Sequence, residues 1–252
     1  MNLRQESEKS PLIFGSAVDE AWNELLLGKG VEAALTEFDR MWAPYREKEV
    51  NYSKSDLDKR LIPDDTPEKE QAWQSLRRKG ELMICAYADE ILPRIREVYA
   101  VQGNIDVANQ NGDVLTGKID LICEWEDGRI ILFDNKTTSV KYTEDSVKES
   151  DQLGTYFDMV KDQYGLDACG YITANKYIKK NDVVTIDVVI GNVDELVIEK
   201  AYEDYDEVLR SIKAAQFPQN FSSCINKFGK CQYYDYCHNG DKTGLVEKKK
   251  ER

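Results

Sequence analysis

The stretch that most constrains the fold of this chain is residues 117–136, GKIDLICEWEDGRIILFDNK. It contains two apolar runs, residues 118–125 and 129–133, and the short polar segment between them ends in Gly128. Glycine accepts the positive φ that tight hairpin turns need, so this pattern predicts two antiparallel strands joined by a turn. The charged side chains that belong to such a hairpin are therefore held close to one another.

Three of the charged side chains in the hairpin form a candidate site: Asp120 lies within the first strand, and Asp134 and Lys136 come at the end of the second. Two neighbouring carboxylates repel each other unless a cation lies between them, and hard oxygen ligands suit Mg²⁺ or Mn²⁺. Because side chains alternate along a strand, Lys136 is expected on the same face as Asp134. There it could orient a water held by the metal or stabilise charge on a phosphate. Taken alone, these residues also fit solvated charges at a strand end, since short motifs match often by accident.

Helical and strand-like segments surround the hairpin. Apolar residues at helical spacing predict helices over residues 14–27, 31–42, 67–92, 146–164 and 197–215. Further strands are predicted over residues 97–107, 168–175 and 183–190. This order predicts an α/β fold of the mixed α+β kind, with a helical N-terminal part and a small mixed central sheet flanked by helices. We expect one domain over residues 1–215, followed by a cysteine-containing C-terminal element and a basic tail over residues 216–252.

Composition limits the classes of partner. The chain of 252 residues has a formal net charge of −13, which opposes nucleic-acid binding at long range, although Lys136, Lys141 and Lys148 could form a small basic groove. No apolar run is long enough to cross a bilayer, and the polar start MNLRQESEKS is unlike a secretory signal. We therefore expect a cytoplasmic protein with no membrane partner. The lack of a G-x4-G-K-[ST] loop disfavours a phosphate-binding NTPase.

Four short sequence motifs occur in and around the predicted hairpin. The predicted opening helix contains FGSAVDEAW at residues 14–22, and GKID at residues 117–120 holds the first acid. FDNKT at residues 133–137 has an acid-x-lysine signature, and QLGTY at residues 152–156 places a glutamine and a tyrosine on one helix face. In this order they resemble the PD-(D/E)XK nuclease superfamily, in its RecB-like branch, which includes helicase-associated exonucleases, CRISPR adaptation nucleases and phage exonucleases. The resemblance covers roughly residues 10–215 and implies a restriction-endonuclease-like core.

The resemblance implies a role for each matching residue of the hairpin. Asp120 and Asp134 would bind the divalent metal, Mg²⁺ or Mn²⁺, and the backbone carbonyl of Asn135 would add another oxygen ligand. Lys136 would position the attacking water. The implied activity is that of a metal-dependent DNA exonuclease that hydrolyses phosphodiester bonds.

Three further site residues come from the two helical segments. Gln152 would orient Lys136 or contact the nucleic-acid backbone, and Tyr156 would support it, although Tyr156 also fits a core position. The RecB-like branch carries a metal-binding histidine in the opening helix, and here Asp19 occupies that position. Aspartate is a competent ligand for a hard metal, but Asp19 also fits an exposed acid near a helix start. The adjacent Glu20 points about 100° away around the helix.

The C-terminal part holds a second candidate site. Cys224, Cys231 and Cys237 lie within 14 residues, and His238, the single histidine, follows directly. RecB-like nucleases with an iron–sulfur cluster place three cysteines after the nuclease core and a fourth before it; here Cys85 is the available fourth. The resemblance thus implies a 4Fe–4S cluster, while the three cysteines with His238 leave a Zn²⁺ site open. The absence of any metal there is the third alternative.

The resemblance implies DNA as the partner, with its strand type and ends undefined, in the cytoplasm of a bacterium or of a phage-infected bacterial cell. It is compatible with a homo-oligomer or with a recombination-protein partner. Two other classes stay open beside the nuclease. One is a catalytically silent nucleic-acid-binding module on the same fold, and the other is a metal-binding interaction protein whose acidic surface binds a basic partner.

Overall fold

The computed structural model describes residues 3–5, 7–53, 56–57, 67–108, 113–179, 181–217, 224–226 and 229–247. The predicted basic tail, residues 248–252, lies outside them. Within this part of the chain there are seven α-helices: α1 (Ser10–Leu26), α2 (Val31–Trp42), α3 (Glu68–Glu90), α4 (Glu144–Lys148), α5 (Asp151–Tyr164), α6 (Glu195–Lys213) and α7 (Tyr234–Asn239). The same part contains the strands β1 (Leu3–Gln5), β2 (Glu8–Lys9), β3 (Val50–Asn51), β4 (Ile95–Ala108), β5 (Val114–Trp125), β6 (Ile130–Thr138), β7 (Ala168–Asn175), β8 (Ile186–Gly191), β9 (Ile225–Asn226), β10 (Gly229–Lys230) and β11 (Leu245–Glu247).

A five-stranded sheet with the order β4-β5-β6-β7-β8 forms the centre of the fold. All neighbouring pairs are antiparallel except β6 and β7, which run parallel. The predicted hairpin is confirmed: β5 and β6 pair directly, and Gly128 in the turn has a φ of 88°. The strands are longer than predicted, so that Asp134 and Lys136 lie inside β6 and not beyond its end. The reason is the parallel partner β7, which continues the ladder and pairs Asp134 with Tyr171.

Helices cover both faces of this sheet. On one face, α1, α2 and α3 pack their apolar residues against Leu121, Cys123 and Phe133 of the hairpin. On the other face, Leu153 and Val160 of α5 pack against residues that include Ile122 and Leu132. Burial on both faces explains why the sequences of the two hairpin strands are nearly continuous apolar runs and do not alternate between apolar and polar residues. The mixed α/β fold with helices flanking a small sheet is therefore confirmed.

The helix predicted over residues 146–164 is in fact two helices, α4 and α5, with a break at Glu149 and Ser150. Ser150 caps α5, because its Oγ accepts a hydrogen bond from the Leu153 N–H at 3.1 Å. The same hydroxyl lies 2.8 Å from the hydroxyl of Tyr171, which is the β7 partner of Asp134. The break therefore ties the start of α5 to the sheet, directly beside the acidic end of the hairpin.

The first and last strands of the described residues form a separate two-stranded sheet. Strand β1 pairs with β11, and the hydroxyl of Tyr233 donates a hydrogen bond to the carbonyl oxygen of Leu3 at 3.2 Å. The proposed domain boundary at residue 215 stays a prediction. Of the helices in the described residues, none is both long and apolar enough to cross a membrane.

Gly80 of α3 packs closely against Phe38 of α2, and a substitution can test this contact. A Cβ placed on Gly80 would overlap the ring of Phe38, which is fully buried. Gly80→Ala should therefore lower the free energy of unfolding by about 1–3 kcal/mol, because overpacking outweighs the ~1 kcal/mol gain in helix propensity. Urea unfolding measures this difference.

The matched control for that measurement is Gly15→Ala in α1. A Cβ there would lie 3.5 Å from Oγ1 of Thr137, an ordinary contact, so the propensity gain should stabilise the protein. A Gly80→Ala protein as stable as wild type would contradict the close packing of Gly80 against Phe38.

Candidate active site

An open cleft of about 340 Å³ lies between α1, the β5–β6 hairpin and the start of α5. We call it the carboxylate cleft. Six of the predicted site residues line it: Asp19, Asp120, Asp134, Asn135, Lys136 and Gln152. The structure therefore brings together residues from three separate segments that the sequence pattern had grouped into one site.

The two hairpin acids occupy neighbouring positions on adjacent strands. Leu121 pairs with Phe133 across the antiparallel ladder, so Asp120 and Asp134 come next to each other at the following step. The Oδ2 atom of Asp120 accepts a hydrogen bond from the backbone N–H of Asn135 at 2.9 Å. This bond holds the Asp120 side chain over β6, and both carboxylates face the carboxylate cleft.

Lys136 and Gln152 both contact Asp134. The Nζ atom of Lys136 lies 2.7 Å from Oδ2 of Asp134, as expected for residues two apart on one strand face. The side-chain amide of Gln152 donates to Oδ1 of Asp134 at 3.3 Å. Gln152 reaches this position because Ser150 starts α5 immediately before it. In this arrangement the glutamine holds the acid, whereas the resemblance suggested that it would hold the lysine or a nucleic-acid backbone.

Asp19 enters the cleft from the middle of α1. Its Oδ2 atom accepts a hydrogen bond from the side-chain amide of Gln102 on β4, at 2.9 Å. Its Oδ1 atom is buried and has no hydrogen-bond partner within the described residues. Glu20, the adjacent acid, instead accepts a hydrogen bond from Asn23 on α1 at 3.4 Å.

Tyr156 lies outside the carboxylate cleft, on the surface of the sheet. A Cβ placed on Gly117 would be 2.7 Å from Cε1 of Tyr156, so the glycine leaves room for the tyrosine ring. The ring packs with the half-buried apolar residues beside α5. This position favours a packing role, one of the two roles that the sequence left open.

Buried polar atoms without a hydrogen-bond partner concentrate at the cleft. Within the described residues, Asp19 Oδ1, Trp22 Nε1 and Asn135 Nδ2 have no hydrogen-bond partner, and Asp134 Oδ2 has only its ion pair with Lys136; all four atoms belong to residues that line the cleft. An unpaired buried polar atom costs about 1–3 kcal/mol, so such a concentration is a sign of a site built for a ligand. Two of these atoms are carboxylate oxygens, which are the ligands that Mg²⁺ and Mn²⁺ prefer.

The acids and the lysine shift one another's pKa values. Burial, together with the charges of Asp120 and Glu20, raises the pKa of Asp19 to about 7. Burial also raises the pKa of Asp134 to about 6, against the opposing effect of Lys136 and with the added effect of Asp120. The pKa of Asp120 is raised by burial too, although the Asn135 N–H and Lys136 work against the shift. The cleft thus holds an excess of negative charge that a cation would relieve.

Lys136 keeps its proton in these surroundings. Burial acts to lower its pKa, but the charge and hydrogen bond of Asp134, together with Asp120, raise it overall. A lysine in this state supplies a fixed positive charge and hydrogen-bond donors, and does not act as a base.

The donor set fits a divalent cation bound mainly by two carboxylates. Within the described residues, no group of three or more His, Cys, Asp or Glu side chains already has the close spacing of a complete metal site. Mg²⁺ usually takes one or two carboxylates together with waters and substrate phosphates, so Asp120 and Asp134 with one backbone carbonyl are a sufficient set.

Two residues that sequence reasoning missed support the end of the hairpin. The hydroxyl of Tyr87 on α3 donates to Oδ1 of Asn135 at 3.3 Å, and its ring stacks on Trp22 of α1 at a centroid distance of 4.8 Å. Both aromatic residues are fully buried. They fix Asn135 against α1 and α3, so the backbone that carries Asp134 and Lys136 has little freedom.

The second candidate metal site is not supported. Cys224, Cys231 and Cys237 lie in the C-terminal element, whereas Cys85 lies within α3, and the described residues contain no cysteine–histidine group able to hold a metal. The iron–sulfur prediction, and the zinc alternative with His238, therefore lack the required convergence of ligands. Spacing along the chain suggested a cluster, but the pairing seen for this element is that of its strand β11 with the N-terminal strand β1.

Fold and site together define a restriction-endonuclease-like α/β domain with two acids and a lysine at the end of its central hairpin. A family model of the PD-(D/E)XK nuclease superfamily matches residues 1–238, and the chain belongs to this superfamily. The superfamily resemblance seen in the sequence is thereby confirmed.

Solved structures were compared in the same way. A candidate exonuclease from Eubacterium rectale is similar with a TM-score of 0.51 and 12% identity, over 84% of this chain and 72% of that chain. At this identity the likeness shows the fold alone. The structure of SSO0001 has a TM-score of 0.29 and 16% identity over 50% of this chain and 55% of that chain, too low to support an argument. A comparison with curated proteins found no match.

Proposed function

We propose that this protein is a metal-dependent DNA exonuclease of the RecB-like branch, which hydrolyses phosphodiester bonds in the carboxylate cleft. The observation that carries the proposal is the convergence of Asp120, Asp134 and Lys136 at one cleft, with the buried and unpaired Oδ1 of Asp19 beside them. Membership of a nuclease superfamily supports the same reading.

Asp120 and Asp134 would hold one Mg²⁺ or Mn²⁺, with the backbone carbonyl of Asn135 as a third oxygen and Asp19 beside them. When bound, such an ion polarises the phosphate and lowers the pKa of water. The unpaired Oδ1 of Asp19 and the raised pKa values of Asp19 and Asp134 both support a cation at this position.

Lys136 and Gln152 would have different roles in hydrolysis. The ammonium group of Lys136 is held 2.7 Å from Asp134, where it can direct the attacking water and offset the negative charge that develops on the phosphate. Gln152 holds the opposite oxygen of Asp134 and so fixes the orientation of this carboxylate. Orientation of this kind is effective because reacting atoms must be placed to within a fraction of an ångström.

Gln152 and Tyr156 should differ in their importance for hydrolysis. Gln152→Ala is expected to lower the rate roughly tenfold, because it frees a carboxylate oxygen of Asp134. Tyr156→Phe is expected to keep a rate close to that of wild type, because its ring lies outside the carboxylate cleft. Initial rates at saturating DNA and Mg²⁺ measure both effects. A larger loss in Tyr156→Phe than in Gln152→Ala would refute this assignment.

The test of the proposed function uses linear single-stranded, linear double-stranded and covalently closed circular DNA of the same sequence. With Mg²⁺, we expect release of short products from labelled linear DNA and none from the circle, and EDTA should stop the reaction. Equal cleavage of the circular DNA would show that the protein is an endonuclease and would contradict the exonuclease assignment. Binding of DNA without cleavage under any divalent metal would favour a silent nucleic-acid-binding protein.

A further inference from the structure

We propose that Gln102 is a positioning residue that holds Asp19 ready as an additional carboxylate for the metal of the carboxylate cleft. The inference rests on the proposed function, because it concerns the same metal site. Gln102 lies on β4, outside every segment that the sequence pattern connected with the site, and 83 residues separate it from Asp19.

The position of Gln102 in the sheet places it at the level of the acids. Val101 pairs with Leu121 and Gly103 pairs with Ile119, so Gln102 lies across the ladder from Asp120. Gln102, Asp120 and Asp134 therefore follow one another on three adjacent strands. A side chain that leaves β4 at this level reaches α1, which covers this part of the sheet.

The backbone of Gln102 is in a conformation that favours glycine. Its φ is 50°, although it is neither glycine nor at a turn, and such a left-handed residue costs roughly 1–2 kcal/mol. Strained residues of this kind persist where the surrounding structure fixes them, and they are concentrated at functional sites. Here the unusual backbone turns the glutamine side chain toward α1.

The side chain makes two contacts one helical turn apart. Its Nε2 atom donates to Oδ2 of Asp19 at 2.9 Å and to Oδ1 of Asn23 at 3.4 Å. One oxygen of Asp19 is thereby fixed, and the other, Oδ1, stays buried without a partner. A carboxylate with one oxygen held by the protein and the other free is arranged to bind a cation.

The chemistry of an amide suits this task. A lysine or arginine at this position would fix Asp19 equally well, but its charge would compete with the cation. A neutral donor orients the carboxylate and leaves its charge available. Without the amide, repulsion from Asp120 and Asp134 would turn Asp19 away from them in the metal-free protein.

The test is Gln102→Gly in the full-length chain, with Mn²⁺ binding measured by isothermal titration calorimetry in the absence of DNA. Glycine adopts the same backbone without strain and removes the whole side chain with its amide, so the variant is expected to fold. We expect roughly tenfold weaker Mn²⁺ binding, and a matching rise in the Mn²⁺ concentration that half-saturates hydrolysis. The rate at saturating Mn²⁺ should change much less.

Two further variants complete the design. Gln102→Met keeps the side-chain length without a donor and should weaken Mn²⁺ binding as much as the glycine variant. Ala215→Gly is the matched control, because Ala215 also has a positive φ, 53°, but lies at the end of α6 and is exposed. It should bind Mn²⁺ like wild type.

The outcomes separate the inference from the proposed function. Wild-type affinity in both Gln102 variants would overturn the inference and leave the proposed function intact. A wild-type protein that binds Mn²⁺ but hydrolyses no DNA would overturn the proposed function, while weaker binding in the variants would still support Gln102 as a positioning residue. A wild-type protein that binds no Mn²⁺ would overturn both.

Discussion

Lys136→Met will lower the rate of DNA hydrolysis by about 10²–10³-fold at saturating Mg²⁺, while the protein stays folded. Methionine keeps the length of the side chain and removes the charge that lies 2.7 Å from Asp134. The proposed role of this charge is to direct water and to stabilise the developing negative charge on phosphate, so its loss should affect kcat more than DNA binding. Single-turnover hydrolysis of an end-labelled duplex measures the chemical step directly.

The control for this prediction is Lys29→Met. Lys29 carries the same charge but lies in the loop after α1, paired with Glu24 at the surface. The two variants have equal net charge, so a general electrostatic effect on DNA binding would appear in both. A Lys136→Met protein that hydrolyses DNA as fast as Lys29→Met would contradict the catalytic role of the lysine.

The hairpin could be predicted from the sequence because its signals are local. The apolar runs, the glycine turn and the alternation that puts Lys136 beside Asp134 all lie within about 20 residues, where strand geometry alone fixes the contacts. Helix α2 and strand β7 were likewise predicted with their observed bounds. Their patterns are unambiguous, and no competing interaction changes them.

The remaining features depend on contacts between distant segments. The apolar spacing of residues 146–164 predicts one continuous helix. The structure breaks it in two, because Ser150 caps the start of α5 and its hydroxyl contacts that of Tyr171. Nothing near Gln102 in the sequence marks its left-handed backbone or its hydrogen bond to Asp19. The C-terminal cysteines show the converse: close spacing in sequence suggested a metal site, but among the described residues they do not form a group that could hold a metal.

The acids of the cleft should make the metal-free protein less stable than it would be without them. The pKa of Asp134 is raised by folding, so the folded state binds a proton more tightly than the unfolded state. The contribution of Asp134 to the free energy of unfolding is fully present below about pH 4, which is the pKa of an aspartate in the unfolded chain. This contribution is lost as the pH rises through about 6, the pKa in the folded protein. Asp134→Asn should therefore raise the free energy of unfolding at pH 7 by on the order of 1–3 kcal/mol, with less gain at pH 4.

With a divalent metal bound, wild type should be more stable than Asp134→Asn. Mg²⁺ at 100 times its dissociation constant stabilises a protein by about 2.7 kcal/mol, and Asp134→Asn should gain far less because a ligand is gone. Urea unfolding at pH 4 and pH 7, with EDTA or with Mg²⁺, measures all four conditions for each protein.

Asp127→Asn is the matched control for these unfolding measurements, because it removes an acid from the turn of the same hairpin. Arg129 hydrogen-bonds to this exposed carboxylate and lowers its pKa, so here the substitution should slightly destabilise the protein and leave the effect of Mg²⁺ unchanged. If Asp134→Asn instead behaved like Asp127→Asn, its carboxylate would not be part of a strained, cation-binding cluster. The stability cost that marks a site built for a metal would then be absent.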